Sequence, residues 1–507
     1  TVWAWGLNTR GQLGNSKNEN SSIPVSVGYP PTTNFDIQYA EVQKSETGTT
    51  VRKYENSSMP RSLSGGEAIA EDEQLVIDTS KLIGEQIFGF NLITDKSSSY
   101  SNAKDIEISS FDETLFTIKN GNTIVPNKNG KYGTGVVIIR DTDPTRNFVG
   151  IIRVQVKPKD AVATPMVSAK QSSTVALKAD GTVWTWGQNT YGQLGNGVSN
   201  GTVVYPEKID SLSNIIKIAA AGQTAVALKT DGTVWTWGRN DNGQLGNGTT
   251  VSSNVPVQVL KGEQNQGNAD KTYLENIVAI SAGGLNDEKI FVVALDSNGN
   301  VYGFGSNEYR QLKIANDASY NTPVVSPAVN AVDVAAGRGA TVYTLTSNGL
   351  VYALGKNYAY EYGTGGTSGS VYTLVPLDNR VMAIGAGNQN GIAVTYSLDA
   401  SSKPSTKTYA WGNNAYYAIS PNNTSTLRTP TEMLGRDNTA IIGGGDSIYT
   451  IDKDSQLKIS GLGDHGQLAN GSEDNSTSMV PYSEFAKNDG TTATDAIGAS
   501  SSRNGAH

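Results

Sequence analysis

The sequence predicts an all-β protein, a seven-bladed β-propeller that carries an inserted β-sandwich (immunoglobulin-like) domain. Two observations predict it. A segment built around Trp-Gly recurs at intervals near fifty residues, and short alternating strands that end in Asp-Gly turns accompany its copies. No helical stripe of useful length interrupts these strands, so they must bury their faces against neighbouring repeats, as blades around an axis do.

The repeat is clearest in three nearly identical copies of one anchor segment. TVWAWGLNTRGQLGN at 1–15 recurs as TVWTWGQNTYGQLGN at 182–196 and TVWTWGRNDNGQLGN at 233–247. Weaker copies begin at residues 300, 350, 407 and 456, which gives seven anchors. In the second copy, alternation sends Val183 and Thr185 to one face of the sheet. Trp184 and Trp186 then point to the other face, and Gly187 is expected to permit a close backbone approach or a positive φ.

These anchors resemble the regulator-of-chromosome-condensation repeat, whose family forms seven-bladed propellers. The resemblance covers residues 1–29 and 163–507. A Kelch propeller, suggested by the three glycines at 443–445, is the structural alternative. The resemblance also implies that strands from both chain ends share one blade. Because one strand of that blade is missing between His507 and Thr1, we expect either a fragment of a longer chain or a gap that another molecule fills.

About 130 residues are inserted after the strand at 24–27, which predicts a second all-β domain over residues 30–162. Proline-containing stretches border this insert, and the apolar segments inside it have the spacing of sandwich strands. The segments are 74–78, 87–93, 115–121, 135–141 and 150–156. Residues 108–156 resemble a bacterial immunoglobulin-like domain of the kind found in surface proteins.

Composition excludes several chemistries. Lys+Arg 39 against Asp+Glu 47 gives a net charge of −8, which disfavours nucleic acid as a partner. With no cysteine and only His465 and His507 as imidazoles, we expect no enzyme and no cofactor. No apolar run is long enough for a membrane-spanning helix. Asp141 and Asp143 leave a weak possibility of calcium, although a solvated hairpin turn is the commoner role of such a pair.

Four residues beyond each anchor glycine, the repeats place one variable residue on a common face around the axis. These residues are Arg10, Tyr191, Asn242, Tyr309, Ala359, Tyr416 and His465. Tyrosines interrupt the Gly-Gln-Leu-Gly consensus in three consecutive repeats, and tyrosine is enriched in recognition surfaces. The predicted partner-binding residues are therefore Tyr191, Tyr309, Tyr358, Tyr360, Tyr362, Tyr416 and Tyr417. The sequence leaves open the alternative that these rings fill gaps between degenerate blades.

For function, we expect a non-catalytic structural or adhesive protein that is secreted or lies on the bacterial cell surface. Its partners would be a protein or a glycan, including other copies of itself in an extracellular assembly. The alternative is a secreted propeller that binds and inhibits, or recognises, a specific protein through the tyrosine-rich face. A guanine-nucleotide exchange or chromatin factor, which the resemblance also allows, is disfavoured by the negative charge and by the insert.

Overall fold

A computed structural model gives the fold of the chain. It describes residues 3–6, 8, 12–13, 20–26, 50–54, 67–77, 86–87, 90–91, 106–127, 133–141, 150–157, 161–170, 172–264, 272–285, 289–328, 330–346, 349–377, 381–398, 404–416, 419, 425–434, 439–444, 447–452, 457–462, 468, 475–481, 501–502 and 505–506. Every regular element in this described part is a β-strand, so the all-β prediction is confirmed.

Six four-stranded antiparallel sheets each form from one continuous stretch of chain, with the strands in chain order. We number these sheets blades 1 to 6. Blade 1 comprises Met166–Lys170, Ser173–Leu177, Val183–Gln188 and Thr202–Lys208. Blade 2 comprises Ile215–Ala221, Thr224–Lys229, Val234–Gly238 and Ser253–Gln258. Blade 3 comprises Ile277–Leu285, Lys289–Asp296, Val301–Gly305 and Tyr320–Val325.

The remaining three of these sheets repeat the same order. Blade 4 comprises Ala331–Ala336, Thr341–Thr346, Val351–Gly355 and Thr373–Leu374. Blade 5 comprises Val381–Ala386, Asn390–Leu398, Pro404–Gly412 and Leu427–Glu432. Blade 6 comprises Thr439–Gly444, Ser447–Asp452, Leu457–Gly461 and Ser476–Pro481. In each blade the third strand is the anchor strand of the sequence repeat.

A seventh four-stranded sheet, the composite blade, joins the two ends of the chain. Its order is Ser501–Ser502, Gly505–Ala506, Trp3–Gly6 and Ser21–Ser26, and Trp5 pairs with Ala506. The inner strand Ser501–Ser502 contacts blade 1 on one side and blade 6 on the other, which closes the ring. The expectation that one strand of this blade is missing is wrong, because the two-residue strand Gly505–Ala506 occupies that place.

The core of the propeller lies between adjacent blades. One apolar cluster combines Val226 and Val234 of blade 2 with Ile280 and Phe304 of blade 3, and equivalent clusters join the neighbouring pairs. Burial between sheets explains why the anchor strands are apolar on both faces. The outermost strands are edges, and most of them carry a proline that has no N–H to offer to another sheet. These prolines are Pro24, Pro206, Pro256, Pro323, Pro430 and Pro481.

The inserted segment forms two further four-stranded sheets. One sheet has the order Thr50–Tyr54, Glu73–Ile77, Thr123–Pro126 and Phe116–Lys119, and the other has the order Glu67–Ala70, Gly150–Lys157, Gly133–Asp141 and Ile106–Ser110. Gln86–Ile87 pairs with Phe90–Asn91 where one strand was expected over 87–93. The sheets share a core in which the backbone of Gly135 lies against the Phe116 ring. The immunoglobulin-like assignment and the domain limits of 30 and 162 stay predictions.

Candidate functional site

In blades 1 to 6, the anchor strand has, at its last or next-to-last residue, a glycine with positive φ. Gly187 has φ +105° and Gly238 has φ +99°. A Cβ atom on Gly187 would overlap the carbonyl oxygen of Ser172, and one on Gly238 would overlap that of Gln223. The prediction for Gly187 is confirmed on both counts. This turn starts the loop that carries the candidate site in each blade.

A buried asparagine, two residues beyond the glycine, then holds that loop in shape. In blade 2, Asn240 Oδ1 accepts the backbone N–H of Leu245 at 2.9 Å, and its Nδ2 donates to the carbonyl of Val251 at 3.0 Å. The Oδ1 bond recurs in six repeats. The pairs are Asn8–Leu13, Asn189–Leu194, Asn240–Leu245, Asn307–Leu312, Asn357–Tyr362 and Asn414–Ile419. We call this asparagine the loop clamp.

A tryptophan of the following anchor strand ties the loop to the next blade. Trp186 Nε1 donates to the carbonyl of Gln12 at 2.8 Å, and Trp237 Nε1 donates to that of Gln193 at 3.0 Å. Trp411 Nε1 donates to the carbonyl of Glu361 at 2.6 Å. These three loops, including the one that carries Tyr358 and Tyr360, are fixed to the next blade, and those of Gln193 and Glu361 also have the internal asparagine bond, so residues at their tips have defined positions.

Two of the predicted tyrosines contact each other at the ends of blades 3 and 4, and a third lies on the same blade 4 loop. The rings of Tyr309 and Tyr358 meet edge to face, with their centroids 6.0 Å apart. Lys356 Nζ lies 5.6 Å from the centroid of Tyr309 and 5.7 Å from that of Tyr358. Tyr358 is 68% exposed. Tyr360 stacks instead with Arg428 of blade 5, at 5.0 Å.

The other predicted tyrosines divide between surface, core and undescribed positions. Tyr191 is half-buried, with the guanidinium of Arg239 4.8 Å from its centroid, and Tyr416 is exposed. Tyr417 lies outside the described residues, as do Arg10 and His465 of the predicted ring. We call Tyr191, Tyr309, Tyr358, Tyr360 and Tyr416 the tyrosine face.

Tyr362 is a correction, because it belongs to the core and not to the tyrosine face. Its side chain is 1% exposed, and its hydroxyl donates to the carbonyl of Gly355 at 2.9 Å and accepts the N–H of Ser370. In the register of the repeat, Tyr362 stands where Leu194 and Leu245 stand in blades 1 and 2. The gap-filling alternative is therefore right for this residue, and burial raises the pKa of its hydroxyl to about 12.

Glu361 is a buried acid that sequence reasoning missed, in a position that other repeats give to glutamine. Its Oε2 accepts the N–H of Ala359 at 2.7 Å, as Gln311 Oε1 accepts that of Tyr309. Gln311 Nε2 also donates to the carbonyl of Ser306, whereas Glu361 Oε1 has no hydrogen-bond partner. Burial raises the pKa of the Glu361 carboxyl. The sequence does carry a signal for this acid, because residues 360–363 read Tyr-Glu-Tyr-Gly where the repeat has Gly-Gln-Leu-Gly.

Acidic groups that could suggest an ion site have structural roles where they are described. Asp296 Oδ1 accepts the N–H groups of Asn298 and Asn300, which is the hairpin turn expected from the repeat. Asp141 ends a strand of the insert, and Asp143 lies outside the described residues. In the described ranges, no three histidine or acidic side chains are grouped to hold a metal ion. Nor does that part of the chain form a helix suited to cross a membrane.

Comparison with known proteins agrees with this geometry. A family model described as the regulator of chromosome condensation (RCC1) repeat matches residues 1–43, 180–228, 231–285 and 298–343, and a second RCC1 repeat model matches 215–244. The chain is an RCC1-like propeller. The yeast RCC1 protein (Prp20) bound to Kap60 has a TM-score of 0.54 against it at 18% identity, covering 66% of this chain and 77% of Prp20. Human WBSCR16 gives a TM-score of 0.52 at 14% identity, over 78% of this chain and 96% of that protein.

Curated relatives of the RCC1-like propeller are long proteins of which it matches a small part. Human E3 ubiquitin-protein ligase HERC2 is 28% identical over 327 residues, which are 61% of this chain and 6% of HERC2. Human probable E3 ubiquitin-protein ligase HERC3 is 30% identical over 208 residues, which are 40% of this chain and 18% of HERC3. The chain thus spans less than a fifth of the length of either relative.

Proposed function

We propose that this RCC1-like propeller is a non-catalytic protein-binding module that contacts its partner through the tyrosine face. The observation that carries the proposal is the group of Tyr309, Tyr358 and Tyr360 at the tips of clamped loops. Rigid aromatic rings with a polar tip bind with little loss of conformational entropy. Its structural neighbours support the same proposal, since yeast Prp20 binds Kap60 and has binding properties to Gsp1p and histones.

The setting that we propose is outside the cell, on a bacterial surface or in a secreted structural or adhesive assembly. A chain without cysteine and with net charge −8 is compatible with that setting. The insert supports this setting, since residues 108–156 resemble a bacterial immunoglobulin-like domain of the kind found in surface proteins. In this setting the tyrosine face would be presented to a partner protein, and the insert would act as a spacer or a second contact.

Selection and mutagenesis test the role of the tyrosine face. Peptides displayed on phage are selected against the full chain, and affinities are measured for the chain and for the triple variant Tyr309→Ser, Tyr358→Ser and Tyr360→Ser. Truncating aromatic anchors at an interface typically costs more than about 1 kcal/mol each, so we expect affinity to fall at least about tenfold. Tyr205→Ser, at a 50% exposed tyrosine on the outer strand of blade 1, is the matched control.

Thermal melts of the same variants separate binding from packing. The proposal requires the triple variant to melt cooperatively at nearly the temperature of the unaltered chain. Loss of cooperative melting would assign these rings to packing and overturn the proposal. Unchanged affinity in a triple variant that still folds would overturn it as well, and so would an equal loss of affinity in Tyr205→Ser.

A further inference from the structure

Three cations accompany the tyrosines of blades 3 to 5, and none is in an ion pair with a described carboxylate. Arg310 and Arg428 are exposed. Lys356 is only 9% exposed, and its ammonium lies near the rings of both Tyr309 and Tyr358. We call these three residues with Tyr309, Tyr358 and Tyr360 the cation–tyrosine cluster. A concentration of positive charge is unexpected on a chain whose net charge is −8.

The two described carboxylates near the cluster leave its positive charge largely uncompensated. Glu308 is 3.3 Å from Lys289 and forms an ion pair with it. Glu361 is fully buried, and the charge of Lys356 acts on it. Glu308 is exposed beside Tyr309, but Lys289 offsets its charge, and Glu361 lies in the interior; the exposed Arg310 and Arg428 are therefore left to attract an anion.

Two members of the cluster hold a backbone conformation that glycine holds elsewhere in the ring. Arg310 has φ +56° and Tyr360 has φ +62°, at the repeat position of Gly192 and Gly243. A Cβ on Gly192 would overlap Asn254 of the next blade, and one on Gly243 would overlap Asn321. A side chain in this conformation is strained, and such strain clusters at binding sites.

In the blade that follows Tyr360, the residue that faces the loop also differs from its counterparts. In blades 1 and 2 the glycine loop is clipped by an asparagine, since Asn254 Nδ2 donates to Gly197 O and Asn321 Nδ2 donates to Gly248 O. Each of these two glycines also donates its backbone N–H to the carbonyl of the same asparagine. The equivalent bond between blades 4 and 5 runs from Gly365 N to Arg428 O. Arginine thus replaces the clip residue, and its guanidinium is free to stack on Tyr360. Tyr360 in place of glycine adds an aromatic ring to this surface, and Arg428 in place of asparagine adds a cation.

We infer that the cation–tyrosine cluster is a binding site for an acidic polypeptide segment, one rich in Asp and Glu side chains. The inference rests on the proposed function and names the class of partner. Arg310 and Arg428 offer planar guanidinium groups that hydrogen-bond carboxylates with two parallel N–H donors. The tyrosine rings cover the aliphatic parts of such a segment, and their hydroxyls donate to its carbonyls.

Fluorescence anisotropy with a defined probe tests the inference on the full chain. The probe is a short fluorescein-labelled peptide of alternating glutamate and alanine, and its neutral counterpart has glutamine in place of glutamate. We expect the acidic peptide to bind more tightly than the neutral one by about tenfold or more, and to lose this advantage at high salt. Arg310→Ala and Arg428→Ala should each weaken it roughly two- to fivefold, as exposed ion pairs do. Lys208→Ala, on the outer strand of blade 1, should leave the affinity unchanged.

Three results would overturn the inference. One is equal binding of the acidic and neutral peptides, and another is unchanged affinity in the double variant Arg310→Ala, Arg428→Ala. The third is tight binding of a heparin oligosaccharide without binding of the peptide, which would assign the cluster to sulfated glycans. If the phage-selected peptide still depends on the tyrosines in any of these cases, the proposed function stands without the acidic partner. If the tyrosine variants have no effect either, both fail.

Discussion

Replacing Glu361 with glutamine should stabilise the propeller at neutral and alkaline pH. The glutamine would keep the acceptor that Glu361 Oε2 offers to the N–H of Ala359. It would also place an amide donor where Glu361 Oε1 has no partner, in the arrangement that Gln311 already shows with Ser306. A buried polar atom without a partner costs about 1–3 kcal/mol, so we expect Glu361→Gln to raise the free energy of unfolding by about that amount.

The expected pH dependence follows from the direction of the pKa shift. Burial raises the pKa of Glu361 above the ordinary 4.5, although the positive charge of Lys356 opposes the shift. The phenols of Tyr343 and Tyr362, which also face it, stay neutral through this range because their pKa values are raised. The protonated carboxyl can donate as an amide does, so its contribution is complete below pH 4.5. It is lost as the pH rises through the raised value.

Urea unfolding of both proteins at several pH values measures this contribution. We expect the two unfolding free energies to agree near pH 4 and to diverge by about 1–3 kcal/mol near pH 8, with the glutamine variant more stable. Taking the difference cancels the titration of all other groups. The mirror change Gln311→Glu should destabilise the chain at the higher pH. A difference that does not vary with pH, or a glutamine variant that is the less stable near pH 8, would show that ionisation of the buried Glu361 carboxyl does not destabilise the chain.

Three further changes test the loop framework by thermal or urea unfolding. Gly187→Ala should cost more than Gly197→Ala, because both residues have positive φ but only Gly187 lacks space for a Cβ; equal losses would contradict the overlap. Asn240→Ala should cost about 2–4 kcal/mol, and Asn240→Asp should cost less because it keeps the acceptor for Leu245 N; the reverse order would refute the clamp. Trp237→Phe places at this position the residue type that blade 3 has in Phe304. It should cost about 1–3 kcal/mol because it leaves the carbonyl of Gln193 without a donor, and an unchanged stability would show that this bond does not stabilise the chain.

Sequence periodicity was enough to predict the propeller because each repeat carries its own turn chemistry. The Trp-Gly anchor and the Asp-Gly hairpins fix strand limits locally, so the blades and the conformation of Gly187 followed from the pattern. The loop clamp could also have been predicted, since an asparagine stands two residues after the glycine in six anchors. So could the burial of Tyr362, which occupies the leucine position of the repeat.

The composition of the cation–tyrosine cluster could not be predicted from one repeat at a time. Tyr309 meets Lys356 and Tyr360 meets Arg428 across blade boundaries, over separations of more than forty residues. These contacts depend on how far one blade is rotated against the next, which no local pattern encodes. The missing-strand expectation failed for a similar reason, because a two-residue strand such as Gly505–Ala506 carries no alternation to detect.

Hydrogen exchange with a bound partner tests most directly the claim that the tyrosine face is the binding surface. The full chain is exchanged with and without the phage-selected peptide, and amide protection is mapped by mass spectrometry. We expect new protection in the loops 306–313 and 356–370 and at the start of the outer strand of blade 5. Protection confined to the inserted sheets, or to the outer strands of blades 1 and 2, would contradict it.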